Sequence, residues 1–299
     1  MARLVVFGDH RGTIWLDPRG WLDPGGARRR GRAAIVEKVV SLRPDLVVDT
    51  GDLVAAGDPP HWRRCDAELA PIRAAGIPID AVPGNHETYG WVPRSARPAR
   101  RMGEFLRRFP RAGEKRWGSR DLGSARIFLL DSNARVLTRA ERGEQESWLS
   151  GALAAAEADP KIGLVLAAWH HPPFTNTHKY GDDRFSADSF LGRLRRSRKW
   201  GAVFCGHVHG YERFRAESVS FVVSGGGGAA AHPFPRDHKR WRHTPAFDAT
   251  ALPHLHFVEI EIEGALARAV SHHLDLPADA GAPPRWIEGD RFEIRPRHQ

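Results

Sequence analysis

The chain has 299 residues, 41% of them hydrophobic and 27% charged, which is typical of a globular protein long enough to bury a sizeable core. No run approaches the roughly 18 apolar residues of a membrane span, which argues against a membrane protein. The formal net charge is +9 at pH 7, from 45 Lys and Arg against 36 Asp and Glu. Such charge attracts anionic substrates or nucleic acid. The arginines are scattered over many predicted helix faces, so a solvated surface is the simpler interpretation.

The cysteines and the N-terminus indicate a cytoplasmic protein. Cys65 and Cys205 are far apart in the sequence and have no metal-type spacing, which suits a reducing compartment. Residues 1–7 enter a predicted strand at once, without the charged region, apolar region and cleavage site of a signal peptide. We therefore expect a cytoplasmic location and no membrane partner.

Strands and helices alternate in the first part of the chain. Apolar runs predict strands at 4–7, 45–50 and 77–82, helical periodicity predicts helices at 27–42 and 59–75, and 13–26 is expected to be a Trp-, Pro- and Gly-rich loop. This alternation is typical of βαβ units and a mostly parallel sheet.

The remaining elements are predicted by the same periodicities. Helices are expected at 100–109, 141–157 and 186–199, strands at 116–122, 125–130, 162–169, 201–205, 212–216, 218–223, 255–262 and 265–272, and a loop at 232–253. We predict a single domain over residues 1–274. The Pro- and Ala-rich residues 275–299 are expected to form a loosely held C-terminal tail.

Side chains able to bind metal follow five of the predicted strands. They are Asp9, Asp52, the run Asn85-His86-Glu87, His170, and the pair His207 and His209. Because ligands of open α/β sheets bind beyond the carboxyl ends of the strands, we expect these side chains to meet at one edge. Carboxylate, amide and imidazole groups together suit Mn, Fe or Zn. The absence of a thiolate argues against a structural zinc site.

These motifs, in this order, resemble the calcineurin-like metallophosphoesterases over about residues 4–228. The following Tyr211-Glu212-Arg213 is similar to the purple acid phosphatase branch. The resemblance implies an α/β fold, a four-layer α/β/β/α sandwich of two mixed sheets, with two divalent metal ions (Mn, Fe or Zn). Carried over residue by residue, it implies that Asp52 bridges the ions, that Asp9 and His209 bind the first, and that Asn85, His170 and His207 bind the second.

The resemblance also implies a metal-dependent phosphoesterase in which a hydroxide that bridges the two metals attacks a phosphate ester. Two ions about 4 Å apart clamp the attacking and leaving oxygens of such a reaction. Asp52 and His86 are the expected catalytic residues, His86 facing the phosphate as a proton donor to the leaving group. The expected substrate contacts are Asn85, His86, Arg11 and His171. Glu87 is either a partner that orients His86 or a carboxylate at a helix start.

Two positions depart from the pattern of the family. Arg11 stands where the family commonly has a histidine ligand, and Ala55 stands where purple acid phosphatases have a tyrosine. The fourth ligand of the first metal is therefore missing from both usual places, and water or His10 are the alternatives. Arg11 is either a fork of donors for phosphate or a surface residue.

The sequence favours a phosphomonoesterase that acts on a small phosphorylated substrate. The alternatives are a phosphodiesterase with a nucleotide-type substrate, and a catalytically weak anion- or nucleic-acid-binding protein of the same fold; nucleic acid is possible but not favoured. His171 and the loop 175–183 are either a substrate rim or a plain turn. The four glycines at 225–228 lack the context of a phosphate-binding loop and are expected to form a flexible turn close to the site.

Overall fold

The structure is a computed structural model that describes residues 1–11, 26–89, 98–232, 234–235, 237–277, 279 and 281–297. The strands are β1 (Ala2–Phe7), β2 (Leu46–Asp49), β3 (Ile79–Ala81), β4 (Gly118–Leu122), β5 (Ala125–Leu129), β6 (Leu164–Ala168), β7 (Trp200–Cys205), β8 (Tyr211–Ala216), β9 (Val219–Ser224), β10 (His256–Glu263), β11 (Leu266–Asp275) and β12 (Arg285–Ile294). The α-helices are α1 (Ala27–Leu42), α2 (Pro59–Glu68), α3 (Ala70–Ala74), α4 (Pro98–Arg108), α5 (Arg139–Ala158), α6 (Arg184–Ser186) and α7 (Gly192–Leu194).

The strands form two six-stranded mixed sheets. The first has the order β12-β11-β10-β1-β2-β3, in which β1, β2 and β3 are parallel and the other pairs are antiparallel. The second has the order β4-β5-β6-β7-β9-β8, with β5, β6, β7 and β9 parallel. The parallel strands of each sheet end at one edge, which sets where the side chains that follow them lie.

Alternate residues of a strand face different layers, as the pleat requires. Leu4 and Val6 of β1 pack between the two sheets, whereas Val5 and Phe7 point the other way and pack with side chains of α1 to α4. A third apolar cluster joins the outer face of the second sheet to α5. The layers are therefore helices, sheet, sheet and helices, and the predicted α/β/β/α sandwich of two mixed sheets is confirmed.

Helix boundaries differ from the sequence-based expectation at two places. The helix expected at 59–75 is interrupted at Leu69, where α3 begins with Pro71 in its first turn; proline has no N–H to continue the hydrogen-bond ladder of α2. The helix expected at 186–199 ends at Leu194 and contains a π-helical turn, Ala187–Leu191. The expected loop at 13–26 falls almost wholly outside the described residues.

The residues after 275 differ from the expected loose tail, because they supply β12. This strand pairs with β11 along its length, and the predicted boundary at 274 falls inside β11. Asp290 of β12 accepts hydrogen bonds from Tyr211 Oη at 2.9 Å and Arg213 Nη2 at 3.0 Å. The last strand of the first sheet is therefore tied to β8 of the second. No helix in the described part of the chain is long and apolar enough to cross a membrane.

Candidate metal centre

The side chains predicted to bind metal meet at the carboxyl edge of the parallel strands. Ligand atoms of Asp9, Asp52 and His170 lie within 4.8 Å of one another, as do those of His170, His171 and His207. Asp9, Asp52 and His170 are fully or almost fully buried. A buried set of carboxylates and imidazoles that shares one histidine is the arrangement expected of a metal centre.

His170 lies at the middle of one half of this site. Its Nε2 is 3.1 Å from Asn85 Oδ1, 3.2 Å from His207 Nδ1 and 3.4 Å from Asp52 Oδ1. Its Nδ1 donates to the carbonyl of Thr50 at 2.8 Å, which leaves the lone pair on Nε2. We call Asp52, Asn85, His170 and His207 the second ligand group; its four atoms are all able to bind a metal.

Asp9 and His209, together with the shared Asp52, form the other half, which we call the first ligand group. Asp9 Oδ1 lies 3.3 Å from His209 Nε2 and is a buried atom without a hydrogen-bond partner in the described structure. His209 Nδ1 faces the carbonyl of Ala230 at 2.5 Å, so its lone pair is also on Nε2. An orphaned buried carboxylate oxygen beside an imidazole lone pair needs a neighbouring cation, either a metal ion or a protonated side chain.

Arg11 enters the site beside the first ligand group. Its Nε lies 3.4 Å from Asp52 Oδ2 and its Nη2 lies 3.5 Å from His209 Nε2, and its side chain is 12% exposed. Of the two alternatives left open by the sequence, a surface arginine is therefore wrong. His10, the other alternative ligand, is fully buried, and its Nε2 lies 3.5 Å from Glu68 Oε2. His10 belongs to neither ligand group.

Backbone geometry turns three of the ligands inward. Asp9, Asp52 and His207 have φ values of 58°, 57° and 67°, in the left-handed region that side chains other than glycine rarely adopt. Position 84 must be glycine, because a Cβ on Gly84 would lie 2.3 Å from Asp52 Oδ1 and collide with it. Asp9 N donates to the carbonyl of Gly51 at 2.9 Å, which joins the ends of β1 and β2.

The four glycines at 225–228 are a packed support and differ from the flexible turn expected. All four are buried. Gly227 N donates to the carbonyl of Gly8 at 2.8 Å, and Ala229 N donates to that of Asp9 at 2.9 Å. A Cβ at Gly225 would lie 2.7 Å from Asp9 Oδ2, so glycine lets this segment approach the ligand.

Electrostatics distinguishes the two aspartates of the site. Burial raises the pKa of Asp9 well above its usual value, and the charge of Asp52 adds to this effect. Burial also acts on Asp52, but its proximity to the rings of His86 and His170 and to the guanidinium of Arg11 lowers the pKa of its carboxyl. Burial lowers the pKa values of His170 and His209 to about 3 each. Asp52 is thus the ionised carboxylate of the site, and these two histidines are neutral, as metal ligands must be.

His86 is oriented by backbone groups. The backbone N–H of His86 donates to Asp52 Oδ1 at 2.8 Å. The ring Nδ1 lies 2.8 Å from the carbonyl of Ala55, which accepts the Nδ1 proton. Its Nε2 lies 3.7 Å from Asp52 Oδ2. Ala55, noted in the sequence only for its missing side chain, therefore holds His86 through its carbonyl.

Glu87 lies in the first turn of the short 3₁₀-helix His86–Thr88, as the helix-start alternative expected, and its hydrogen bonds go to backbone groups of other residues than His86. Its buried carboxylate accepts hydrogen bonds from the N–H groups of Asp52, Gly84 and Val54, at 3.0, 2.6 and 3.2 Å. Burial and the charge of Asp52 raise the pKa of Glu87 to about 8. Glu87 therefore ties the loops after β2 and β3 together beneath the ligands.

His171 lies against the second ligand group. Its Nδ1 is 2.8 Å from Ser132 Oγ, and its ring lies 4.6 Å from that of His207 and 4.8 Å from that of His170, centroid to centroid. This position fits the expected substrate rim, which stays a prediction.

The loop 175–183, considered from the sequence as a substrate rim or a plain turn, brings Tyr180 against the second ligand group. The Tyr180 ring lies 4.1 Å from that of His207. Glu212 holds the base of the loop, accepting from Thr175 Oγ1 at 2.6 Å and Asn176 N at 2.8 Å. Arg242 donates to the carbonyls of residues 175, 177 and 180. In the sequence, Glu212 belongs to the run Tyr211-Glu212-Arg213, which indicated only the resemblance to a family. Its contact with the loop 175–183 could not be predicted from that run.

Several curated proteins and one family model match this chain. The family model described as calcineurin-like phosphoesterase matches residues 2–211. A cAMP/cGMP dual specificity phosphodiesterase of Mycobacterium tuberculosis is 29% identical over 175 residues, which are 56% of this chain and 49% of that protein. The chain thus matches about half the length of that relative. A glycerophosphodiester phosphodiesterase of Enterobacter lignolyticus is 24% identical over 228 residues, 73% of this chain and 74% of that one.

Solved structures of the same fold agree with this family. A purple acid phosphatase from seeds of yellow lupin (Lupinus luteus) superposes with a TM-score of 0.70 at 19% identity, covering 98% of this chain and 53% of that chain. A dimetal phosphatase from Danio rerio gives a TM-score of 0.59 at 16% identity, covering 98% of both. At such identities the similarity shows the fold alone. Since the family model covers most of the sequence, the chain belongs to the calcineurin-like phosphoesterase family.

Proposed function

We propose that the chain is a metal-dependent hydrolase of small phosphate esters. The observation that carries this proposal is the second ligand group, in which three ligand atoms lie within 3.4 Å of His170 Nε2. A buried group of lone pairs needs a cation to balance it. Carboxylate, amide and imidazole ligands suit a divalent ion such as Mn, Fe or Zn.

The chain's own groups divide the work of the reaction. When bound, the metal supplies Lewis-acid charge and an activated water. Asp52 is the shared carboxylate of the two ligand groups. Burial lowers the pKa of His86, so its protonated form, held at Nδ1 by the Ala55 carbonyl, is a stronger acid that donates from Nε2 to the leaving oxygen. Asn85, Arg11 and His171 bind the phosphate oxygens around it, Arg11 as a charged fork of N–H donors.

Phosphodiesters are the substrates that the comparisons support. Both curated relatives described above are named as phosphodiesterases, one for cyclic nucleotides and one for glycerophosphodiesters. The sequence favoured monoesters. We place diesters first and monoesters second, because the relatives' names are the more direct information on substrate class.

The test uses metal-stripped protein reloaded with Mn²⁺ or Zn²⁺. Bis(nitrophenyl) phosphate and nitrophenyl phosphate are compared as diester and monoester. We expect metal-dependent hydrolysis of both, with the higher kcat/KM for the diester. A higher value for the monoester would restore the sequence-based prediction. Binding of phosphate without turnover of either ester would leave the catalytically weak anion-binding protein as the function.

A further inference from the structure

The guanidinium of Arg11 lies among the atoms that the first metal is expected to bind. Its Nε faces Asp52 Oδ2 at 3.4 Å and its Nη2 faces His209 Nε2 at 3.5 Å. Two different ligands of the expected first ion therefore have the same arginine beside them. The backbone at Arg11 is also held in place, since Arg11 N donates to the carbonyl of Asp52 at 3.1 Å.

A metal ion and an arginine compete for the same lone pairs. The Ala230 carbonyl accepts the proton of His209 Nδ1, so His209 Nε2 has only a lone pair to offer. Arg11 directs an N–H toward that lone pair. The guanidinium is always protonated in proteins and has no acceptor atom, so it cannot itself become a ligand. It can only repel a second cation or replace it.

In the part of the chain that the structure describes, no such competitor contacts the atoms of the second ligand group that face His170 Nε2. The atoms that the structure places around His170 Nε2 are the oxygens of Asn85 and Asp52 and the ring nitrogen of His207, all of which can bind a metal. Arg11 contacts Asp52 through Oδ2, whereas Oδ1 faces His170. The bridging carboxylate is therefore divided between an arginine on one side and a metal group on the other.

We propose that the chain binds one divalent ion, at Asp52, Asn85, His170 and His207, and that Arg11 takes the place of the second cation. This rests on the proposed function, in which a metal acts at the same ligands. One guanidinium brings a single positive charge where a divalent ion brings two. The site then matches the single negative charge of a phosphodiester better than the dianion of a monoester.

The test counts metal ions per chain. Metal-stripped protein is dialysed against Mn²⁺, and bound metal is measured by mass spectrometry together with the electron paramagnetic resonance spectrum. We expect one ion per chain in the native protein, with the spectrum of an isolated Mn²⁺. We expect two ions and an exchange-coupled spectrum in Arg11→His, which removes the guanidinium and supplies an imidazole. Arg215→His, on the exposed end of β8, is the matched control and should keep one ion.

The possible outcomes separate this inference from the proposed function. Two ions of similar affinity in the native protein would overturn the inference while leaving a metal-dependent hydrolase. One ion in both the native protein and Arg11→His would also overturn it, because the guanidinium would then not be what excludes the second ion. No bound ion in the native protein would overturn the proposed function itself. Circular dichroism shows whether Arg11→His is folded. If it is not, Arg11→Gln, which removes the positive charge, is used in its place, and we again expect more than one ion per chain.

Discussion

The two ligand groups are alike in residue type and differ in what lies beside them. Each has a neutral histidine whose Nδ1 faces a backbone carbonyl, Thr50 for His170 and Ala230 for His209. Burial lowers both pKa values to about 3. The second group is completed by further ligands, whereas the first is completed by the cation of Arg11. Ligand residues alone therefore do not define a metal site, because one neighbouring donor changes what the same residues bind.

Asp52 is common to both groups, so its replacement should disable both groups at once. Asp52→Asn keeps the shape of the side chain but removes its charge, and we expect metal binding to fail. Loss of the metal's stabilisation of the transition state should lower kcat/KM on the order of 10³-fold or more. Metal content and kcat/KM are measured together, with Asp188→Asn, an exposed aspartate, as the control. If Asp52→Asn keeps its metal and most of its activity, the assignment of Asp52 as a ligand common to both groups is wrong.

His86 touches the chemistry without belonging to either group, and His86→Ala should separate catalysis from metal binding. We expect kcat to fall about 10²-fold or more, as for the loss of a general acid, with metal content unchanged. The fall should be larger for alkyl esters than for nitrophenyl esters, whose leaving group needs no proton. Equal falls would show that His86 is not mainly an acid. His238→Ala, an exposed histidine, should leave both values unchanged.

Glu212 supports the loop over the second group, and its titration should appear in stability. Burial raises its pKa from 4.5 to about 7, so the folded protein holds this proton more tightly than the unfolded chain. Stability from this group is therefore present at low pH and is lost as the pH rises from about 4.5 to about 7. The loss is about 3 kcal/mol. We measure the free energy of unfolding in urea at pH 4.5 and pH 8. Between these pH values the unmutated protein should lose about 3 kcal/mol more than Glu212→Gln.

The Glu212→Gln comparison cancels the other buried carboxylates, which titrate in both proteins. A stability difference between the two that does not change with pH would contradict the raised pKa of Glu212. A large loss at both pH values would show that the amide cannot replace the protonated acid at Thr175 and Asn176.

The positions of the ligands were predictable because apolar runs mark buried parallel strands. The register places Phe7 of β1 opposite Asp49 of β2, so the residues beyond each strand must emerge side by side. Asp9 and Asp52 follow directly from this geometry. The layers of the sandwich, in contrast, were implied by the resemblance to the family, and the structure confirms them.

The direction of Arg11 was not predictable, since it depends on the left-handed backbone of Asp9 and on contacts across 41 to 198 positions of sequence. β12 was missed for a different reason. It is an edge strand whose residues are mostly exposed or half-buried, and its charged residues hide the apolar alternation. The break between α2 and α3 could have been predicted from Pro71. It was missed because the helical periodicity continues on both sides of this proline.

The pairing of β1 has a consequence for the order in which the chain acquires its function during synthesis. β1 is made first, yet one of its two neighbours is β10, through the pairs from Ala2 with Ile262 to Val6 with Val258. The backbone of Gly8 and Asp9 is held by Gly227 and Ala229. A nascent chain therefore cannot assemble the centre until most of its length has left the ribosome. Contacts at such large sequence separation form slowly, so newly made protein passes through a stage that is folded in part and inactive in full.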